Sequence, residues 1–335
     1  MENKKVLLEL KDVKTYFPIR TGFMNKVSDY VKAVNGVSLK IYKGETIGLV
    51  GESGCGKTTL GKSILQLVKP THGEVLYDFD AKGIKDLRKL NKKDMDMARK
   101  KLQIVFQDPH SSLNPAFTIY QSMSDPLKKF GVKMKEDRRQ IVGDLLEAVN
   151  LRREYMDRFP HEFSGGQRQR IGVARALSIN PELIVCDEAV SALDVSIQAQ
   201  VLNLLKKLKS ERNLTYIFIT HNLSVVEYIS DRIAVMYLGK IVELATTEQL
   251  FKNMQHPYTK ALLSAIPIVD TDKKVNRIVL DGDVPSPVSV PSGCHFHPRC
   301  SECMEICKTE EPKLVSYLID GQEHFVACHK MKKEK

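Results

Sequence analysis

Two short stretches of this chain combine residue types and spacings that could handle a phosphate. Gly51-Glu52-Ser53-Gly54-Cys55-Gly56-Lys57-Thr58 fits the pattern G-x-x-x-x-G-K followed by Ser or Thr. In such a loop the glycines let backbone N–H groups curl around phosphate oxygens. The helix that comes next adds the partial positive charge of its N-terminus. Lys57 is placed to reach the β- and γ-phosphates, the Thr58 hydroxyl to hold Mg²⁺, and Thr59 to contact the α-phosphate. The nucleotide-binding candidates here are Gly51, Ser53, Gly54, Cys55, Gly56, Lys57, Thr58 and Thr59. Cys55 fills a variable position, with its side chain a spectator.

The second stretch is Leu183-Ile184-Val185-Cys186-Asp187-Glu188, four apolar residues running into two acids. Asp187, at the end of a strand, is placed to hold the Mg²⁺ shell. Glu188 is placed to polarise an attacking water as general base.

Elements that would carry these residues are legible around them. Residues 46–51, 103–107, 183–187 and 216–220 are short, nearly continuous apolar runs, as parallel strands buried on both faces require. Helical patterns lie at 58–68, 195–209 and 223–229. That order predicts an α/β layered fold with ligand loops at the carboxyl ends of the strands. Before Gly44 the chain reads as antiparallel strands, clearest over 31–42. Between Asp108 and Asn180 strand signals vanish, which predicts an inserted α-helical subdomain at about 108–180. Near residue 267 the composition changes, and Pro285, Pro287, Pro291 and Pro298 punctuate the segment beyond it. The predicted domains are 1–267 and 268–335.

Composition is that of an ordinary globular protein, with 335 residues, 42% hydrophobic and 27% charged. No apolar run approaches the roughly 18 residues of a membrane span. The N-terminus lacks a signal-peptide core. The expectation is a protein of the cytoplasm that meets a membrane only through partners or surface charge. Net charge is +10, and residues 82–101 hold nine Lys or Arg against three Asp. No aromatic residue interleaves with them, as a single-strand nucleic-acid platform would need. They read as a solvated face near an acidic membrane surface, and no nucleic-acid partner is expected.

Further motifs complete a resemblance. Phe163-Ser164-Gly165-Gly166-Gln167 resembles the signature motif of ABC ATPases, and it lies shortly before the acidic strand, as in that family. Ser164 is placed to cap the next helix, aiming its N-terminus at a phosphate. The resemblance implies that Ser164, Gly165, Gly166 and Gln167 complete the nucleotide pocket of an opposing subunit, so that two subunits sandwich two ATP molecules. Gln107 resembles the family's Q-loop glutamine, a sensor of Mg²⁺ and the lytic water. Ser191-Ala192-Leu193-Asp194 resembles the D-loop, with Asp194 at the nucleotide site. His221 resembles the switch histidine at the γ-phosphate. Phe17 resembles the aromatic residue stacked on adenine, with Tyr16 the alternative one place away. Two departures stand out: Ala189 where the family usually has Pro, and Asn222 where it usually has Asp. The resemblance covers residues 5 to about 255. It implies an ABC ATPase fold, with a core sheet around the phosphate loop, an antiparallel β subdomain and an inserted helical subdomain. It also implies ATP and Mg²⁺ as cofactors, with Glu188, His221 and Gln107 catalytic and Thr58, Gln107 and Asp187 around Mg²⁺.

A narrower likeness lies at His256-Pro257-Tyr258-Thr259, Leu262-Leu263 and Ala265-Ile266-Pro267. This segment resembles the close of the ATPase domain in oligopeptide and dipeptide importers, and the chain looks most like their F-type subunit. The implied partners are a D-type ATPase subunit as heterodimer, two transmembrane permease subunits and an extracytoplasmic solute-binding protein. The implied location is the cytoplasmic face of the cell membrane, held there through the permeases. Peptides are the implied solute; relatives with the same tail import nickel, metal chelates or glutathione. A soluble ABC protein acting on ribosomes or DNA usually carries two cassettes or a long coiled coil, and this chain has neither.

Five of the seven cysteines crowd the tail: Cys294, Cys300, Cys303, Cys307 and Cys328. In a cytoplasmic protein such crowding suggests metal rather than disulfides. Cys294, Cys300, Cys307 and Cys328 match the spacing of the importer family's small cysteine-rich C-terminal extension, where an iron–sulfur cluster is reported. Thiolates suit a 4Fe–4S cluster or Zn²⁺. Cys300-x2-Cys303 is a spacing that zinc favours, and unliganded thiols are the third possibility.

Overall fold

A strand covered on both faces must be apolar along its length, and three of the apolar runs meet that condition completely. The computed structural model describes residues 4–22, 25–108, 112–265 and 278–331. Its strands are β1 (Val6–Thr21), β2 (Lys26–Tyr42), β3 (Thr46–Val50), β4 (His72–Asp78), β5 (Ile84–Asp86) and β6 (Leu102–Val105). They continue with β7 (Leu183–Asp187), β8 (Thr215–Ile219), β9 (Arg232–Tyr237), β10 (Lys240–Thr246), β11 (Val315–Ile319) and β12 (Gln322–Val326). Every residue of β3, β7 and β8 is buried.

The chain divides into two compact units. The first is built chiefly from Leu90–Ile219 together with Tyr42–Glu45. In it β6, β7 and β8 run parallel, with Leu102 opposite Leu183 and Leu183 opposite Thr215. Between 112 and 180 the described residues form helices and short turns and no strand, including Ile119–Lys129, Lys135–Ala148 and Gly165–Leu177. The basic stretch is partly spent on local ion pairs here: Lys101 meets Glu182, and Arg99 meets Asp96 at 3.7 Å.

The second unit comprises Lys5–Ile41, Thr46–Lys89 and Thr220–Lys335. It holds an antiparallel sheet in the order β2-β1-β4-β5. In a second sheet β3 pairs parallel with β9, β9 antiparallel with β10, and β10 antiparallel with β12. The hairpin of β11 and β12 closes that row. The cysteine-bearing tail therefore supplies the edge of a sheet rather than hanging as an appendage. The boundary predicted near 267 lies outside the described residues.

A buried polar knot fixes where the tail joins. Glu243 on β10 accepts from the backbone N–H of Gln255 and His256, and pairs with His324 of β12 at 2.6 Å. His256 caps the helix Pro257–Ser264, its Nδ1 accepting from the Tyr258 N–H at 3.1 Å. Burial pushes the His256 pKa down to about 4, against the opposing pull of Glu243. The unfolded imidazole titrates near 6.5, so between pH 6.5 and 4 the unfolded chain binds the extra proton. Stability contributed by His256 is therefore full above about pH 7 and falls by about 3 kcal/mol as pH drops through that window. His256→Asn keeps a capping acceptor and removes the titration. It should flatten this part of the acid slope, as read from urea-unfolding midpoints between pH 4 and 8.

Candidate nucleotide site

The register of β3 against β9 dictates the shape of the phosphate loop. Val50 lies opposite Val235, so Gly51 comes next beside Met236. A Cβ on Gly51 would lie 2.1 Å from the Met236 carbonyl oxygen, and one on Gly56 would lie 2.0 Å from that of Ala33. Both residues have φ in the left-handed region, at 150° and 102°. Glycine is required at both on two independent grounds. Lys57 is only 6% exposed. Its ammonium donates to the carbonyls of Gly51 at 2.7 Å and Glu52 at 2.9 Å, so the loop curls round its own cation. The helix Lys57–Ile64 starts at Gly56 with no side-chain cap, which suits a helix whose N-terminal N–H groups face an anion. Cys55 is buried, and desolvation raises its thiol pKa. It packs the loop from within, in keeping with a spectator.

Two more candidates lie in the same unit. Phe17 sits on β1 with 39% of its surface exposed. Neighbouring Tyr16 donates its hydroxyl to Asn35 and packs edge-on to His72. Of the two aromatics, Phe17 is the one with a ring to offer. His221 is exposed, and Asn222 after it caps the helix Leu223–Ile229, accepting from the N–H of Ser224 and Val225. Asn and Asp cap equally well, which explains why Asn serves where the family usually has Asp.

The first unit carries the acids. Parallel register sets Val105, the last residue of β6, opposite Cys186, one residue before the end of β7. Two residues further on, Gln107 Nε2 donates to Glu188 Oε2 at 2.8 Å. Glu188 adopts φ 49°, a left-handed conformation that is costly for a residue with a side chain. Its N–H donates to the Ile219 carbonyl at the end of β8, and the Ser191 hydroxyl donates to its carbonyl. Asp187 before it is buried. Ala189 is buried too, so the small side chain at that departure packs inside.

Ser164 caps the helix Gly165–Leu177 in a reciprocal box. Its oxygen accepts from the Gln167 N–H at 3.3 Å, and the Gln167 side chain accepts from the Ser164 N–H at 3.0 Å. Gln167, a nucleotide candidate by sequence, spends its side-chain oxygen on this cap. Gly165 and Gly166 form the first turn, and Asp194 stands at the start of the helix Val195–Arg212.

The tail cysteines are free thiols. Desolvation pushes Cys294 and Cys300 up to about 11, with further upward pressure on both from Cys307 and Cys328. Cys294 N–H donates to the Cys307 carbonyl at 2.8 Å. Cys294 and Cys307 are thus joined through the backbone, and the thiols are of the soft donor type. Among the described residues, however, no three His, Cys, Asp or Glu side chains are gathered at metal-holding distance.

Comparison with known proteins now decides the family. Residues 34–191 match the family described as ABC transporter, and 242–307 match the oligopeptide/dipeptide transporter C-terminal region. The chain is 51% identical over 331 residues to the oligopeptide transport ATP-binding protein AppF of Bacillus subtilis, covering 98% of each. This chain belongs to the ABC transporter family, among its oligopeptide and dipeptide ATP-binding proteins. The ABC protein is also 47% identical to the dipeptide transport ATP-binding protein DppF of Haemophilus influenzae, over 96% of each chain. A solved dimeric ATP-binding cassette in a post-hydrolysis state, bound to ADP and Pi, matches with a TM-score of 0.63 and 30% identity. That match covers 72% of this chain and 99% of the other. The α/β ABC ATPase fold expected from the motifs is the fold found.

The capping box has a measurable worth. Ser164→Ala in the ABC protein should cost about 1 kcal/mol of stability, and Ser164→Asp much less; urea denaturation of the purified variants checks both.

Proposed function

We propose that this chain is the ATP-hydrolysing subunit that energises peptide uptake by an ABC importer. The observation that carries the chemistry is the register of β6 against β7, which brings Gln107 to Glu188 at 2.8 Å. A carboxylate held by a glutamine amide, in a strained turn beside a buried aspartate, suits the activation of water. The names of the relatives, oligopeptide and dipeptide transport ATP-binding proteins, support peptides as the solute class.

Each residue has a role in this scheme. The phosphate loop, Gly51 to Thr59, takes the triphosphate on its backbone N–H groups and on Lys57. Phe17 stacks on the base. Thr58 and Asp187, with Gln107, would hold Mg²⁺, which would offset the charge of the phosphates. Glu188 takes the proton of the attacking water, and His221 and Gln107 stabilise the transferring phosphoryl group. Ser164, Gly165, Gly166 and the helix behind them serve the nucleotide of an opposing ATPase, with Asp194 at the same interface. That opposing subunit is a D-type ATPase. Two permeases and an extracytoplasmic binding protein complete the importer, with this chain peripheral on the cytoplasmic face. Among the described residues no helix is long and apolar enough to cross a membrane.

The tail supports a narrower proposal, that Cys294, Cys300, Cys307 and Cys328 hold a 4Fe–4S cluster, with Zn²⁺ the alternative. Donor type and the likeness of this segment to the oligopeptide/dipeptide transporter C-terminal region support it. No step of hydrolysis runs through this group, and its role is structural.

In the assembled complex, Glu188→Gln should bind ATP as tightly as the wild type, with turnover reduced about 10²- to 10⁴-fold. Phosphate release and nucleotide binding measured together check this; brisk hydrolysis by the variant contradicts it. Cys300→Ser should remove the brown absorbance and the bound iron of the purified protein. An unchanged spectrum and metal content contradict the cluster.

A further inference from the structure

Glu52, at a variable position of the phosphate loop, is gripped at three points. Its N–H donates to the Tyr258 hydroxyl at 2.8 Å. Its carbonyl accepts from the Lys57 ammonium at 2.9 Å. Its carboxylate accepts two N–H groups of Arg299, at 2.8 and 3.1 Å. Such a forked pair fixes geometry as well as charge. The Arg299 side chain is 7% exposed, so water screens the pair far less than at an open surface.

Arg299 is itself well fixed. It closes the turn His297–Arg299, with its N–H donating to the Phe296 carbonyl at 3.0 Å. Phe296 is buried against Tyr237 and Tyr258, with ring centroids 5.1 and 5.4 Å away. The guanidinium lies over the Tyr237 ring, 6.0 Å from its centroid. One aromatic cluster thus carries both Tyr258 and Arg299 to the same loop residue.

A carboxylate in a loop that receives a triphosphate has an electrostatic cost. Bare, Glu52 would repel the incoming anion and compete for Lys57. We propose that Arg299 is a positioning residue for ATP binding, neutralising Glu52 and holding the phosphate loop in its curled form. The C-terminal region thereby becomes part of the nucleotide site. The proposal rests on the reading of residues 51–59 as the phosphate loop.

The test uses the full-length chain in its assembled complex, with MgATP hydrolysis and titration of a fluorescent ATP analogue. Arg299→Gln should weaken analogue binding and raise KM for ATP roughly tenfold, with kcat within about twofold. Arg299→Lys keeps the charge and loses the fork, so it should recover only part of the loss. Glu52→Gln removes the repulsion as well as the bond, so its effect should be smaller. The double variant, Glu52→Gln with Arg299→Gln, should resemble Glu52→Gln alone rather than Arg299→Gln. A tail that merely staples the fold predicts a lowered melting temperature, no split between KM and kcat, and no rescue in the double variant. Wild-type affinity in Arg299→Gln, or a double variant as weak as Arg299→Gln, overturns the proposal. If instead Lys57→Ala leaves analogue binding unchanged, the phosphate-loop reading itself falls, and the proposal with it.

Discussion

Two polar features of this ATPase, the Gln107–Glu188 pair and the phosphate loop, depend on the register of parallel strands, of which β3, β7 and β8 are buried along their whole length. Such strands admit polar side chains only at their ends. Where two paired strands run out within a residue of each other, the residues just beyond become neighbours. That is how Gln107 and Glu188, 81 residues apart, come to share a hydrogen bond. The same constraint acts on the phosphate loop. β3 in register with β9 sets the Met236 carbonyl against Gly51, and no side chain fits there. Chemistry and sterics are fixed together by strand pairing.

Local strain is held by redundant bonding around those strand ends. Glu188 adopts a left-handed backbone, and its N–H and C=O are both occupied, by Ile219 and by the turn ending at Ser191. Strain of this kind costs of order 1–3 kcal/mol and persists only where neighbours over-determine it. In the second unit the phosphate loop is braced from far along the chain. Tyr258 and Arg299, 206 and 247 residues away from Glu52, arrive on one packed group of aromatic rings.

The sequence makes legible whatever is encoded within a few residues. The glycine loop, the acid-ended strand and the Ser164 cap are local patterns, and their order carries the fold. Asn222 is only half legible: its departure from Asp is visible in the sequence, and its function as a helix cap needs the structure. The hairpin of β11 and β12 gives little signal, because β11 is an edge strand nowhere fully buried and β12 opens on the exposed polar residues Gln322 and Glu323. Tyr258 stands out as part of a family-like segment, while its bond to Glu52 does not. Pairings across 200 residues leave no periodicity to detect. The excess of Lys and Arg at 82–101 reads as a surface field, yet part of it answers nearby acids, as Lys89 answers Asp86 and Lys101 answers Glu182.

The claim at the centre is that this ATPase works on a membrane importer of peptides. Its most direct test is purification of the tagged chain from native membranes with ATP present, followed by mass spectrometry of the proteins recovered with it. The account predicts two permeases, a second ATPase and a peptide-type binding protein. Recovery of ribosomal or DNA-repair proteins, with no permease, would contradict it.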